Sequence, residues 1–367
     1  MTPKSFVYLA VGTAAAVLLA IVSFASNNQW STGRTAGEKL VPRLADTISK
    51  VAELEVRQGD NGVVLERTGG SWAVKTRAGY PADPVKARTL LVSLGEAELV
   101  ESKTRNAERH AALELEDPAE KGAKSRLLRL LDANGKAIAE VVVGKKRVEG
   151  YGSGRQGATY VRKQGDVQTW LANVELDAPV AIRDWVKTSV LTVDTAKISR
   201  VAIEIPGEQA LKIERSAAAP AKDAKEPKDG KDAKDGKEAK MPAQPGKLAF
   251  VGFPAEGKKL KDADAAETLA RAISSIDMED VRKLASPPTE GVSVVRIEVA
   301  DGPTTTLRLR KEGDSHWLSV TATGEGEAKE AADEISGRTE SWEFKIPSHK
   351  AESILKKRTD LLDAPAS

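Results

Sequence analysis

Cysteine is absent from this 367-residue chain, and its three histidines, His110, His316 and His349, are scattered. Thiol catalysis, disulfides, cysteine-held zinc and Fe–S clusters are excluded at once. No histidine has a partner at i, i+4, so a histidine metal site is not expected either. The sequence holds no nucleophile elbow, no P-loop and no H-E-x-x-H. Gly150-Tyr151-Gly152-Ser153-Gly154 is glycine-rich, but strands flank it on both sides, so it reads as a hairpin loop rather than a phosphate cradle. Glu114, Glu116 and Asp117 read as a solvated helix end stopped by Pro118. The acidic run 325–334 reads as a surface loop. No catalytic, cofactor or metal residue is therefore assigned, and the chain is expected not to be an enzyme; a hydrolase with an unrecognised site is the remote alternative.

Tryptophan is the other chemistry-bearing residue type, because it is enriched where proteins bind partners. Trp72 and Trp317 sit within alternating strands and are expected in the core. Trp185 stands beside Arg183 and Asp184, and the pair Arg183 and Trp185 is the candidate partner-binding site. Trp30 follows an apolar run and suits a membrane interface. With 56 basic against 54 acidic side chains the net charge is +2. That balance offers no broad footprint for nucleic acid.

These residues must be held by a repeated module. Ile48-Ser49-Lys50-Val51-Ala52 recurs 150 positions on as Ile198-Ser199-Arg200-Val201-Ala202. A second strand follows each opening, and Ser71-Trp72-Ala73-Val74 adds a third in the first copy. Asp83 then caps a helix with Pro84 in its first turn. Ala87, Leu90, Leu91 and Leu94 form one apolar face, matched by Leu269, Ala272, Ile273 and Ile276. Asn134-Gly135 and Asp301-Gly302 mark hairpins. Short helices at 178–186 and 348–358 are expected to close the copies. Between the second copy's first strands and its helix lies a lysine-rich, low-complexity insert, residues 216–247, with too little apolar content to fold.

Residues 6–24, FVYLAVGTAAAVLLAIVSF, carry no charge. As a helix they would span about 28 Å, close to the hydrocarbon thickness. A cleaved signal peptide competes with a retained anchor. The expected fold class is α+β: an N-terminal transmembrane helix followed by two tandem copies of a mainly antiparallel β-sheet module with packed helices. Its parts are an anchor or uncleaved signal at 1–26, a juxtamembrane linker at 27–44, a first repeat at 45–192 and a second at 193–363. The expected location is the inner (cytoplasmic) membrane, single-pass, with the C-terminal domains in the periplasm or extracytoplasmic space.

Gly70-Ser71-Trp72-Ala73-Val74, the helix entry Tyr80-Pro81-Ala82-Asp83, and Gly157-Ala158-Thr159-Tyr160-Val161 with Arg183-Asp184 further on resemble a bacterial family, domain of unknown function 4340. The resemblance covers nearly the whole chain outside the insert. It implies an envelope protein found beside ABC-transporter or gliding-associated components, acting as an accessory or scaffolding subunit of an inner-membrane complex. It carries over no catalytic residue. Binding of an envelope glycan or peptidoglycan is the alternative, motivated by the lysine-rich insert and Trp185.

Overall fold

A computed structural model describes residues 37–147, 157–216, 246–286 and 290–363. Two compact units divide the chain. Unit 1 holds the residues up to Thr76 and Pro81–Asp184; unit 2 holds Arg77–Tyr80 and the residues from Trp185 on.

Nine strands lie within unit 1, and a tenth, β5, straddles its boundary because Tyr80 falls in unit 2: β1 (Glu38–Lys39), β2 (Glu53–Gln58), β3 (Asn61–Thr68), β4 (Ser71–Val74), β5 (Tyr80–Pro81), β6 (Glu98–Ser102), β7 (Arg126–Leu131), β8 (Ala137–Arg147), β9 (Ala158–Lys163) and β10 (Thr169–Ala172). They form one sheet in the order β1-β6-β10-β9-β8-β7-β2-β3-β4-β5. After a short helix α1 (Leu44–Thr47), α2 (Pro84–Glu96) is this unit's long helix. The Asp83 side chain accepts a bond from the Val85 N–H at 2.9 Å and so caps α2. Ala87, Leu90, Leu91 and Leu94 are buried, each leucine worth about 1.5–3 kcal/mol of apolar transfer.

Unit 2 contains β11 (Ser189–Thr192), β12 (Ile198–Glu204), β13 (Leu211–Arg215), β14 (Leu248–Phe250), β15 (Ser275–Asp277), β16 (Asp280–Lys283), β17 (Ser293–Val299), β18 (Thr304–Glu312), β19 (Ser315–Thr323) and β20 (Trp342–Ile346). Its helices are α3 (Ala265–Ser274), α4 (Ala328–Thr339), α5 (Ser348–Ile354) and α6 (Arg358–Leu361). Eight strands form a sheet in the order β14-β13-β12-β17-β18-β19-β20-β16, while β11 pairs with β15. This order follows, strand for strand, the run β4-β3-β2-β7-β8-β9-β10-β6 of unit 1. The Asn134-Gly135 and Asp301-Gly302 turns join β7 to β8 and β17 to β18. Gly135 takes φ 77° and Asp301 φ 52°, the left-handed region these turns need.

The expected fold class requires correction. The described chain is mostly antiparallel sheet, and among the described residues no helix is long and apolar enough to cross a membrane. Residues 6–24 and Trp30 lie outside the described residues, as do 150–154 and most of the insert. The closing helix expected at 178–186 is only a 3-10 turn, Ile182–Asp184. Pro179 supplies no N–H and steers Ala178 away from helical backbone. Conversely, the acidic run 325–334 is mostly helix α4. Its Ala, Glu and Lys residues are strong helix formers. Ser336 and Thr339 then dock the helix by donating Oγ and Oγ1 hydrogens to the Ala322 and Val320 carbonyls, both at 3.0 Å. Ser189–Thr192, placed in the first repeat by the sequence, pairs with Ser275–Asp277 within unit 2.

Candidate interaction face

Strand alternation gives the eight-stranded sheet two unlike faces. On one, Val281, Leu307, Leu309, Leu318, Val320 and Phe344 are buried. The other carries Asp280 and Arg282 of β16, Glu343 and Lys345 of β20, Trp317 and Ser319 of β19, and Arg308 and Arg310 of β18. Register sets them side by side: Arg282 opposes Glu343, Asp280 opposes Lys345, and Trp317 opposes both Lys345 and Arg310.

Glu343 is the hub, and it is 3% exposed. Its carboxylate accepts from Arg282 Nε at 2.9 Å and from Arg310 Nε and Nη2, both at 2.9 Å. Glu312 braces the other side, accepting from Arg282 Nη1 at 3.1 Å and Nη2 at 2.6 Å. Burial alone would raise the Glu343 pKa. The bonds and charges of Arg310 and Arg282 outweigh it and hold the carboxyl below its ordinary value. Glu312 is lowered too, chiefly by its bond from Arg282. Glu343 is thus a fixed anion with no proton to give near neutrality. Such a group orients arginines; it is poorly suited to general acid catalysis.

The Arg282 guanidinium lies 3.8 Å from the Trp317 ring centroid, a cation–π stack. Trp317, expected in the core, is half-buried with its ring on the polar face. At the margin, Arg77 Nε and Nη2 donate to the two Asp280 carboxylate oxygens at 2.7 and 2.8 Å. On the opposite, apolar side, Tyr80 meets Trp342 edge-on at 4.9 Å. Lys283 lies 4.5 Å from the Trp342 ring. Unit 1 has a looser counterpart of the stack, with Lys103 and Lys145 at 5.8 and 5.9 Å from the Tyr160 ring.

The residues singled out from sequence fall elsewhere. Arg183 is exposed, but Trp185 is 1% exposed. The Arg183–Trp185 contact pair is therefore corrected in its second member: the Trp185 indole is buried and is not open to a partner at the surface. With it goes the tryptophan that motivated glycan binding. His110 is buried, its Nε2 3.0 Å from the Val167 carbonyl oxygen. Glu116, read as a solvated helix end, instead staples a loop by accepting from the Ser125 N–H at 3.2 Å and the Lys124 N–H at 2.5 Å. Arg282, Arg310 and Glu343 were missed by sequence reasoning. Their only local signal is a charge alternating with apolar residues, as in Trp342-Glu343-Phe344, which any half-buried strand shows.

Residues 72–290 match a protein family described as Domain of unknown function (DUF4340). The match covers more than half of the chain. The chain belongs to this family. No curated protein and no solved structure matches this DUF4340 chain significantly. The matched segment contains Arg282 and stops short of Trp317 and Glu343.

Proposed function

We propose that this DUF4340 chain is a non-enzymatic binding protein, an accessory or scaffolding subunit of an envelope membrane complex, whose partner docks on the Arg–Trp–Glu face of unit 2. The observation that carries this reading is the Trp317 ring, half-buried on the polar face and pinned by Arg282, which Glu343 and Glu312 hold in place. Tryptophan and arginine are the residue types that dominate binding energy at protein interfaces. Fixing them beforehand removes the ordering cost that a flexible arginine would meet on docking. An ABC-transporter-like or gliding-associated complex is the partner that the sequence resemblance suggests.

Extracytoplasmic placement belongs to the same proposal and rests on the uncharged run at 6–24. Protease added to spheroplasts should then degrade the chain while a cytoplasmic marker survives. Protection of both would remove the placement.

The contact itself is tested by a photo-crosslinking residue in place of Thr321, on the same face of β19 as Trp317. Ultraviolet light on native membranes should give one discrete membrane-protein adduct, lost in Trp317→Ala. A crosslinker in place of Glu352, exposed on α5, serves as control. Equal adducts from both positions, or an adduct indifferent to Trp317→Ala, would reject the face.

A further inference from the structure

Unit 2 also carries a cleft of about 540 Å³ between α3 and α5, within the range typical of small-molecule sites. Its floor is apolar. Ala265, Leu269 and Ala272 recur at i, i+4 and i+7 along α3, so one stripe of the helix faces the opening. One end is closed by backbone. The Lys261 N–H donates to the Leu361 carbonyl and the Asp363 N–H to the Lys259 carbonyl, both at 3.0 Å, around a Leu260–Leu362 bridge.

The rim is cationic. Arg271, Lys350 and Lys356 line the cleft, and among the described residues none of them makes an ion pair. The carboxylates that share the lining are engaged by backbone. Asp262 accepts from the Asp264 N–H at 2.9 Å and Asp360 from the Lys357 N–H at 3.0 Å. Lys350 is half-buried. Burial lowers its proton affinity, and the charge of Asp277 offsets this only in part. A partly desolvated cation with no anion in contact gains from an incoming negative charge.

We infer that this cleft binds an anionic amphiphile: a phosphate or carboxylate held by Lys350, Lys356 and Arg271, with its alkyl chain laid on the Ala265–Leu269–Ala272 stripe. Both halves of the ligand are called for. A bare anion would leave the apolar floor wet, and a neutral alkane would leave the three cations unmatched.

Native mass spectrometry of the full-length chain, released from a neutral detergent, reads this directly. Dihexanoyl phosphatidylglycerol should give a single adduct, with dihexanoyl phosphatidylcholine at least about fivefold weaker, the factor expected when the head group loses its net charge. The triple variant Arg271→Gln/Lys350→Gln/Lys356→Gln should lose at least about tenfold in affinity while melting like the parent. Ala272→Trp, which fills the floor, should abolish the adduct without touching a charge. Hexyl phosphate separates the sources: tighter binding of the two-chain lipid assigns a membrane lipid, and tighter binding of hexyl phosphate assigns a soluble ester. Equal binding of the anionic and zwitterionic lipids overturns the inference. So does an unchanged triple variant, or inorganic phosphate binding as tightly as hexyl phosphate.

Discussion

Replacing Glu343 with glutamine keeps the shape of the side chain and removes the charge on which two arginines converge. The structure sets the size of the effect. Glu343 accepts three charge-assisted bonds at 2.9 Å in a site where it is 3% exposed. Breaking a fully buried ion pair costs about 3–5 kcal/mol. Two features reduce that here: the Arg282 and Arg310 side chains are 33% and 31% exposed, and Glu312 remains bonded to both. Solvent screening and the surviving partner bring the expected cost of Glu343→Gln to about 2 kcal/mol near neutral pH. In a domain of about 150–250 residues that is a fall of roughly 4–8 °C in the melting of unit 2. The pH dependence has a definite sign. The folded pKa of Glu343 is depressed, so its stabilising contribution is complete above the unfolded glutamate value of about 4.3 and is lost as pH falls through the lower folded value. Glutamine has no such proton site. Calorimetry of parent and variant should therefore show a gap near neutrality that narrows on acidification below about pH 4. A gap of less than about 1 °C at neutral pH, or one that persists undiminished in acid, would refute the account of Glu343 as a buried anion braced by arginine.

Three further outcomes follow from packing. Trp185→Ala should destabilise the folded chain by about 3–5 kcal/mol, as a fully buried indole requires, whereas Arg183→Ala should stay within about 0.5 kcal/mol; urea titrations of both variants decide whether the pair is buried plus exposed. Gly144→Ala would set its Cβ 2.4 Å from the Leu113 carbonyl oxygen and 2.9 Å from Leu115 Cδ2. Backbone cannot retreat as a side chain can, so a loss of about 1–3 kcal/mol is expected, and an unchanged melting curve would contradict this packing. Asp83→Ala removes the α2 cap and should cost about 1 kcal/mol, restored mostly by Asp83→Ser.

The parts of the fold that could be read in advance are those fixed within a few residues. Asp83-Pro84 and the spacing of Ala87, Leu90, Leu91 and Leu94 define α2 because capping and helical periodicity are local. Asn134-Gly135 and Asp301-Gly302 define hairpins for the same reason. Where reading failed, a long-range contact decided. The charges around Glu325 suggested a solvated loop, yet the acidic helix α4 needs only Ala332 and Thr339 buried, with Ser336 and Thr339 bonded to β19, to dock. Trp185 looked exposed beside Arg183 and Asp184, but a side chain's neighbours in sequence do not choose its neighbours in space. The candidate face is the extreme case. Glu343 lies 61 residues from Arg282 and 33 from Arg310, and nothing joins them until β20 is inserted between β16 and β19. That insertion is topological. In unit 1, β10 occupies the same place between β6 and β9, with Lys103 and Tyr160 on either side of it, but the pair lacks an arginine and a central carboxylate. The same strand order therefore places a cation near an aromatic ring in both units, and among the described residues only unit 2 holds that cation by anchoring it to a buried anion. A partner that needs a pre-set arginine would then select unit 2, which is why substitutions at Glu343 and Trp317 should separate the two units functionally while substitutions at Tyr160 should not.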